Sequence, residues 1–397
     1  MTDLRLAYLC ALGLILALPY LIWRLARRPP AAPLVVVQIG LGVLLGPAGL
    51  GRLSPELHGW LFGEAVISLL SGMAWWGVMV FVMLAGLELE LQGFWQNRKE
   101  TAVTSGLALL FPLLFGSAIA VGLLTQPGWI GSEAAPWQFV LGIGMASAVT
   151  ALPILVLFLE QLRLLATPLG QRVVRYASVE DLFLWSILAL LLMDWSRLIR
   201  ELLYLLLLAI AGAGIRTLVP KLAAEDRWPV ALIWLLVCAA GADYAGFHFI
   251  VGAFLAGAVL ESGWFQASEL NALRRHVLLL LMPVFFLLTG LRTHWQVEKA
   301  EVFMVALAFL IAGVGGKFVG VFVASRWLGW PPGEWRLVAW LLQTKALILI
   351  IFITILLDRA IISPNTFSAC LLSALVSTGL TLPMVMRGRT APKSQRI

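Results

Sequence analysis

Charged residues make up only 12% of this 397-residue chain, about half the share of a soluble domain. That scarcity excludes an ordinary water-soluble fold, whose surface is built from such residues. Cysteine is scarcer still. Cys10, Cys238 and Cys370 stand far apart, each in an apolar stretch, with no CxxC and no Cys/His spacing that suits a metal. They are expected to be small core residues. The four histidines, His58, His248, His276 and His294, fall at loop edges and form no ligand cluster. No nucleophile–base pair and no metal set can be assembled within the apolar runs, so neither an enzyme nor a cofactor is expected. Basic residues do not cluster with interleaved aromatics, which argues against a nucleic-acid partner.

What is abundant is apolar length. Hydrophobic residues make up 61% of the chain, in runs of about twenty residues that recur almost end to end, as membrane helices do. The net charge of +7 then belongs to loops facing an anionic cytoplasmic leaflet. Breaks at charge, Gly and Pro divide the chain into thirteen predicted helices at 4–26, 33–50, 62–91, 101–125, 136–160, 169–195, 198–220, 228–246, 248–262, 275–291, 299–328, 334–358 and 364–386. The runs 62–91 and 299–328 exceed one straight span, which predicts tilt or a kink. The shortest, 248–262, carries Gly252 and Gly257 for close packing. The first segment, Leu4 to Trp23, is too long for the apolar core of a signal peptide and lacks a small-residue cleavage site, so it is expected to stay in the mature chain.

An odd helix number puts the termini on opposite sides. Loops after odd-numbered helices, together with the tail, hold 18 of the 28 Lys and Arg residues; the other side holds 7, and Arg175, Lys317 and Lys345 belong to neither. The N-terminus is therefore expected outside and the C-terminus in the cytoplasm. The helices also divide as six, one, six. This predicts inverted repeats at 4–195 and 228–386 joined by a connector at 198–220, within a transmembrane domain 1–390, followed by a short cytoplasmic tail 391–397. The fifth helix of each half is interrupted, by Pro153 in SAVTALPIL and by Gln343, Thr344 and Lys345 in LLQTKALIL. Broken helices in matching positions point to a substrate site at the membrane midplane.

Four charges stand inside the apolar runs: Glu180 and Asp181 in RYASVEDLFLW, Lys317 in GGKFVG, and Lys345. Each costs about 2.5–3.5 kcal/mol at a bilayer centre when unpaired. Two acids facing two bases inside a bundle lower that cost. Adjacent helical residues point about 100° apart, so Glu180 and Asp181 cannot do the same work. A carboxylate in a partly dry cavity exchanges protons nearer neutral pH than one in water, and it binds either a proton or a metal cation. That competition is sufficient to couple the two in exchange. Plainer readings stand beside this one: both acids paired with Arg175 or Arg172 near a cytoplasmic edge, and Lys345 as a brace on the carbonyl ends of a helix gap. Glu88, Glu90, Glu64, Asp243 and Glu261 are expected near the interfaces.

Taken in order, APLVVVQIGLGVLLGPAGLG, FVMLAGLELEL, VGAFLAGAVLE, GLRTHW after MPVFFLLT, and the Glu180–Asp181 pair resemble the monovalent cation/proton antiporters, in their Kef-type and NapA-type branch. The likeness runs over nearly the whole chain. It implies an antiporter fold of about thirteen helices, with a dimer-forming panel, a moving core of crossed half-helices, and transport by an elevator-like shift. The family's paired acids fall on Glu180 and Asp181, so Asp181 takes the role of the ion- and proton-binding carboxylate. Its lysine before the second broken helix falls on Lys317, its basic residue in that helix on Lys345, and the unwound stretch of the first on Thr150. Two positions depart from the pattern: Gln38 stands where Glu is usual, and Glu180 where Asp or Asn is usual. No G-x-G-x-x-G follows a strand, so a nucleotide-binding regulatory domain is not expected.

The resulting expectation is exchange of Na⁺ or K⁺ for H⁺ in a bacterial inner membrane, with lipid and a second copy of the chain as partners. The alternatives are a sodium-coupled carrier of an organic anion on a similar fold, and an ion channel or sensor without turnover.

Overall fold

The computed structural model describes residues 2–25, 34–47, 49–87, 97–165, 167–193, 198–291 and 300–390. Glu88, Glu90, His294 and the tail 391–397 lie outside the described residues. The described chain is helical, with one isolated bridge, Ile130 to Ile362, as its strand-like feature.

The helices are α1 (Thr2–Leu25), α2 (Leu34–Leu45), α3 (Pro55–Phe62), α4 (Glu64–Leu87), α5 (Arg98–Leu123), α6 (Pro136–Ala148), α7 (Leu152–Gln161) and α8 (Pro168–Leu192). They continue as α9 (Leu198–Leu218), α10 (Ala224–Ala245), α11 (Phe249–Val259), α12 (Ala267–Leu291), α13 (Ala300–Trp327), α14 (Glu334–Leu341), α15 (Ala346–Asp358) and α16 (Pro364–Thr390). Among the described residues, eight are long and apolar enough to cross a membrane: α1, α4, α5, α9, α10, α12, α13 and α16. At 25 residues α8 has the length, but Arg172, Arg175, Glu180 and Asp181 set it apart from those eight.

Several expected boundaries change for physical reasons. The span expected at 275–291 begins at Ala267, because its first turns, ASELNALRRH, are polar and hide from a hydropathy reading. It passes through a π-helical turn at Val277–Leu281. Pro55–Phe62 forms a short helix where a loop was expected. The run expected at 299–328 is one helix of 28 residues, about 42 Å at 1.5 Å per residue, against a bilayer core of about 30 Å. Cys238 and Cys370 are buried as expected, whereas Cys10 is exposed on α1. The surface of a membrane span is itself apolar, so a small apolar side chain gains little from burial there.

The chain divides into two compact units. One comprises Met1–Ile22, Gln38–Leu89 and Trp185–Arg292. Its helices pack on glycine: a Cβ on Gly257 would overlap the Met83 carbonyl of α4, and one on Gly252 the Cys238 carbonyl of α10. Both glycines of the short α11 thus permit backbone contact, as small residues do between membrane helices.

The other unit comprises Trp23–Val37, Glu90–Leu184 and Thr293–Ile397. Here α5 and α13 approach so closely that a Cβ on Gly316 would overlap Pro112. Leu155, Tyr176, Ala177, Leu341 and Leu342 build its apolar core. At one end the loop after α5 meets the loop after α15 and the start of α16: Gly131 N–H donates to the Ile361 carbonyl at 3.1 Å, and Thr366 Oγ1 in the first turn of α16 to the Trp129 carbonyl at 2.6 Å. The first unit takes the predicted first to third helices with the connector and the eighth to tenth, and the second takes the fourth and fifth with the eleventh to thirteenth; the sixth is divided after Leu184, its first part with the second unit.

Candidate functional site

Two interrupted helices carry the site. The span expected at 136–160 divides into α6 and α7 around Val149–Ala151, and that expected at 334–358 into α14 and α15 around Leu342–Lys345. The first break lies just before Pro153 rather than at it. Pro153 stands second in α7, where a missing N–H costs nothing because the first turn has no intrahelical acceptor.

A broken helix leaves carbonyls unbonded on one side and N–H groups on the other. Here each break answers the other. Thr150 Oγ1 donates to the Leu342 carbonyl at 2.7 Å, and Ala151 N–H donates to the Thr344 carbonyl. The Lys345 ammonium donates to the Ser147 carbonyl in the last turn of α6, where the helix dipole favours a cation. Lys345 N–H is held by Thr378 Oγ1 of α16 at 3.2 Å, and Gln343 Nε2 donates to the Val314 carbonyl of α13 at 3.3 Å. Thr150, Gln343 and Thr344 are fully buried and Lys345 nearly so. Gly313 makes room for the lysine, since a Cβ there would stand 3.1 Å from the Ser147 oxygen and 3.2 Å from Lys345 Nζ. The ammonium borders a narrow crevice also lined by Ser147, Gly313, Cys370, Ser373 and Ser377.

The two acids come from the middle of α8. Lys317 Nζ of α13 meets Glu180 Oε2 at 2.5 Å, with both side chains wholly buried. Asp181 is equally buried, and its charge also acts on Lys317. Lys317 and Glu180 in turn act on Lys345. All four of these side chains are thus buried inside the second unit. The other Glu180 oxygen, Oε1, has no hydrogen-bond partner among the described residues. A buried ion pair with lone pairs left over is poor as a pure stabiliser.

The alternative pairing of Glu180 with Arg172 is not adopted: Arg172 is engaged by Glu100 and Glu334, and Glu180 by Lys317. Lys345 has the geometry of the brace. Gln38 is buried within α2. Asp243 and Glu261 are exposed at helix ends, and Glu64 opens α4, all as interfacial residues would be. Three contributors escaped the sequence reading: the Ser147 carbonyl, Thr378 and Gly313. A main-chain acceptor leaves no sequence trace, while Gly313 has one in the glycine run AGVGGKFVG.

The sodium/hydrogen exchanger transmembrane family profile matches residues 13–388. The chain is 28% identical to the Na⁺/H⁺ antiporter NhaS4 of Synechocystis, over 98% of its own length and 99% of the relative's. It is 26% identical to cation/H⁺ antiporter 15 of Arabidopsis thaliana over 90% of its own length, but spans only 45% of that relative. In fold it is similar to the sodium proton antiporter MjNhaP1 of Methanocaldococcus jannaschii, with a TM-score of 0.64 at 16% identity, covering 98% of this chain and 99% of that one. By its helices and by the family profile's match over residues 13–388, the chain is an integral membrane protein that belongs to the sodium/hydrogen exchanger family of monovalent cation/proton antiporters, which are transporters rather than enzymes.

Proposed function

We propose that the protein exchanges Na⁺ or K⁺ for H⁺ by alternating access, with Asp181 as the one carboxylate that takes either ion in turn. The observation that carries this reading is the division of labour on α8. Glu180 is paired with Lys317, and Asp181, the next residue on α8 and turned about 100° away, is equally buried with the same lysine within reach of its charge. Carboxylate oxygens are hard ligands suited to an alkali cation. Cation entry draws Glu180 away from Lys317; protonation of Asp181 lets the pair re-form. Lys345 holds the crossing together, and Thr150, Pro153, Gln343 and Thr344 shape it.

The wider plan follows from the same reading. Thirteen spans form two inverted six-helix repeats, the two halved helices counting as one span each, in a transmembrane domain 1–390 with a cytoplasmic tail 391–397. The N-terminus lies outside and the C-terminus inside. Interleaving of the two halves between the two units supports the repeats. Bonding of the loops after α5 and α15, which helix parity assigns to one side, supports the topology. The moving core shifts like an elevator, in a homodimer embedded in the lipid of a bacterial inner membrane. An organic-anion carrier would need an ammonium open to substrate, and that of Lys345 is engaged by Ser147.

The test is proton flux in liposomes holding the purified protein and an interior pH dye, with Na⁺, K⁺, Li⁺ or choline added in turn. A pH change with an alkali cation but not choline, absent in Asp181→Asn, is expected. Full flux in that variant would remove Asp181 from the mechanism.

A further inference from the structure

A second polar cluster lies on α8, two turns before Glu180. Arg172 Nε and the Tyr176 hydroxyl both donate to Glu100 Oε1, each at 2.6 Å. Arg172 Nη1 donates to Glu334 Oε1 at 2.5 Å. The guanidinium lies 4.5 Å from the centre of the Trp330 ring, which also stacks on Tyr176 at 6.2 Å and 11°. Ser105 Oγ of α5 donates to the Tyr176 carbonyl at 3.3 Å.

The placement of these groups gives the cluster its meaning. Glu100 is in the first turn of α5 and Glu334 in the first turn of α14, where a carboxylate suits the helix dipole. α14 is the first half of the second broken helix. Arg172, Tyr176 and Glu180 follow at i, i+4 and i+8, a stripe about 12 Å long at 1.5 Å per residue. One end of the stripe ties α8 to α5 and α14; the other ties it to α13 through Lys317. A helix held at two points cannot slide or turn about its axis, and Asp181 is placed by whichever register those two ties enforce.

We infer that Arg172 and Tyr176 are positioning residues for transport: they set the register of α8, and so the placement of Asp181 against Lys317. This rests on the reading of Asp181 as the ion site. A merely structural role would lower the yield or thermal stability of the protein and leave the cation affinity of the folded fraction unchanged. A positioning role moves that affinity.

The experiment measures the apparent KM for the transported cation and the maximal flux per folded protein in liposomes. The variants are Arg172→Ala, Arg172→Lys and Tyr176→Phe, with Asp181→Asn alongside. The expected result is a KM raised roughly five-fold or more in Arg172→Ala, less in Arg172→Lys, and least but measurable in Tyr176→Phe. Should Arg172→Ala fail to fold, the other two variants decide. A KM within experimental error of the unaltered protein in the folded variants, whatever the maximal flux, overturns the inference and leaves the Asp181 reading intact. Undiminished flux in Asp181→Asn removes both.

Discussion

The two ionic clusters of α8 use similar chemistry in different surroundings. Near the helix start, Arg172 shares two carboxylates, an aromatic ring and a phenol, and its side chain and those of its acids keep 22–27% of their exposure. Two turns on, Lys317 meets one oxygen of Glu180 with no exposure at all. The first is a fork with its donors matched to several acceptors, the arrangement guanidinium favours. The second is a single contact between a point charge and a longer-armed acid, buried in full, and easily exchanged for another partner. The comparison teaches that a stable tie and a breakable one can lie about 12 Å apart on one helix, the former holding the frame in which the latter operates.

Substitutions sharpen that contrast, and their effects should fall in order. Asp181→Asn removes the shared site and is expected to abolish cation-dependent proton flux, measured with the interior pH dye. Lys317→Ala strands Glu180 without its partner, a loss of about 3–5 kcal/mol for a buried pair. Thermal unfolding in detergent should show it, and Glu180→Gln added to Lys317→Ala should restore most of the stability without restoring flux. Lys345→Met frees the Ser147 carbonyl in the last turn of α6; flux should fall several-fold, and Lys345→Arg should recover part of it. Glu334→Gln weakens a partly exposed tie, worth about 0.2–1 kcal/mol, and its melting temperature should move least. If Glu334→Gln destabilised the protein more than Lys317→Ala, the difference in burial would not be what sets the cost of losing one partner in the two clusters.

The four buried charges were legible in the sequence because each interrupts an apolar run, where a charge has no cheap explanation. Their pairing was legible in part. Glu180 with Lys317 followed from counting two acids against two bases, together with the family resemblance. The Arg172 cluster was not, because Arg172 sits where a helix starts, as an ordinary interfacial residue would, and its acids lie 72 and 162 positions away. The two breaks were located to within a few residues. Pro153 drew the first one too far along, since proline marks the start of α7 as readily as an interruption. The polar first turns of α12 went unread because hydropathy sees apolar length and not helix as such.

The central claim is that one carboxylate binds the cation and the proton in turn. Equilibrium binding of the transported cation to the purified protein, measured at a series of pH values, tests it most directly. Competition at Asp181 predicts that binding weakens as pH falls. The apparent Kd should rise about tenfold per pH unit once the site is mostly protonated, as exchange of one proton requires, and Asp181→Asn should not bind. An apparent Kd that stays level across the pH series, or that persists in Asp181→Asn, would contradict the account.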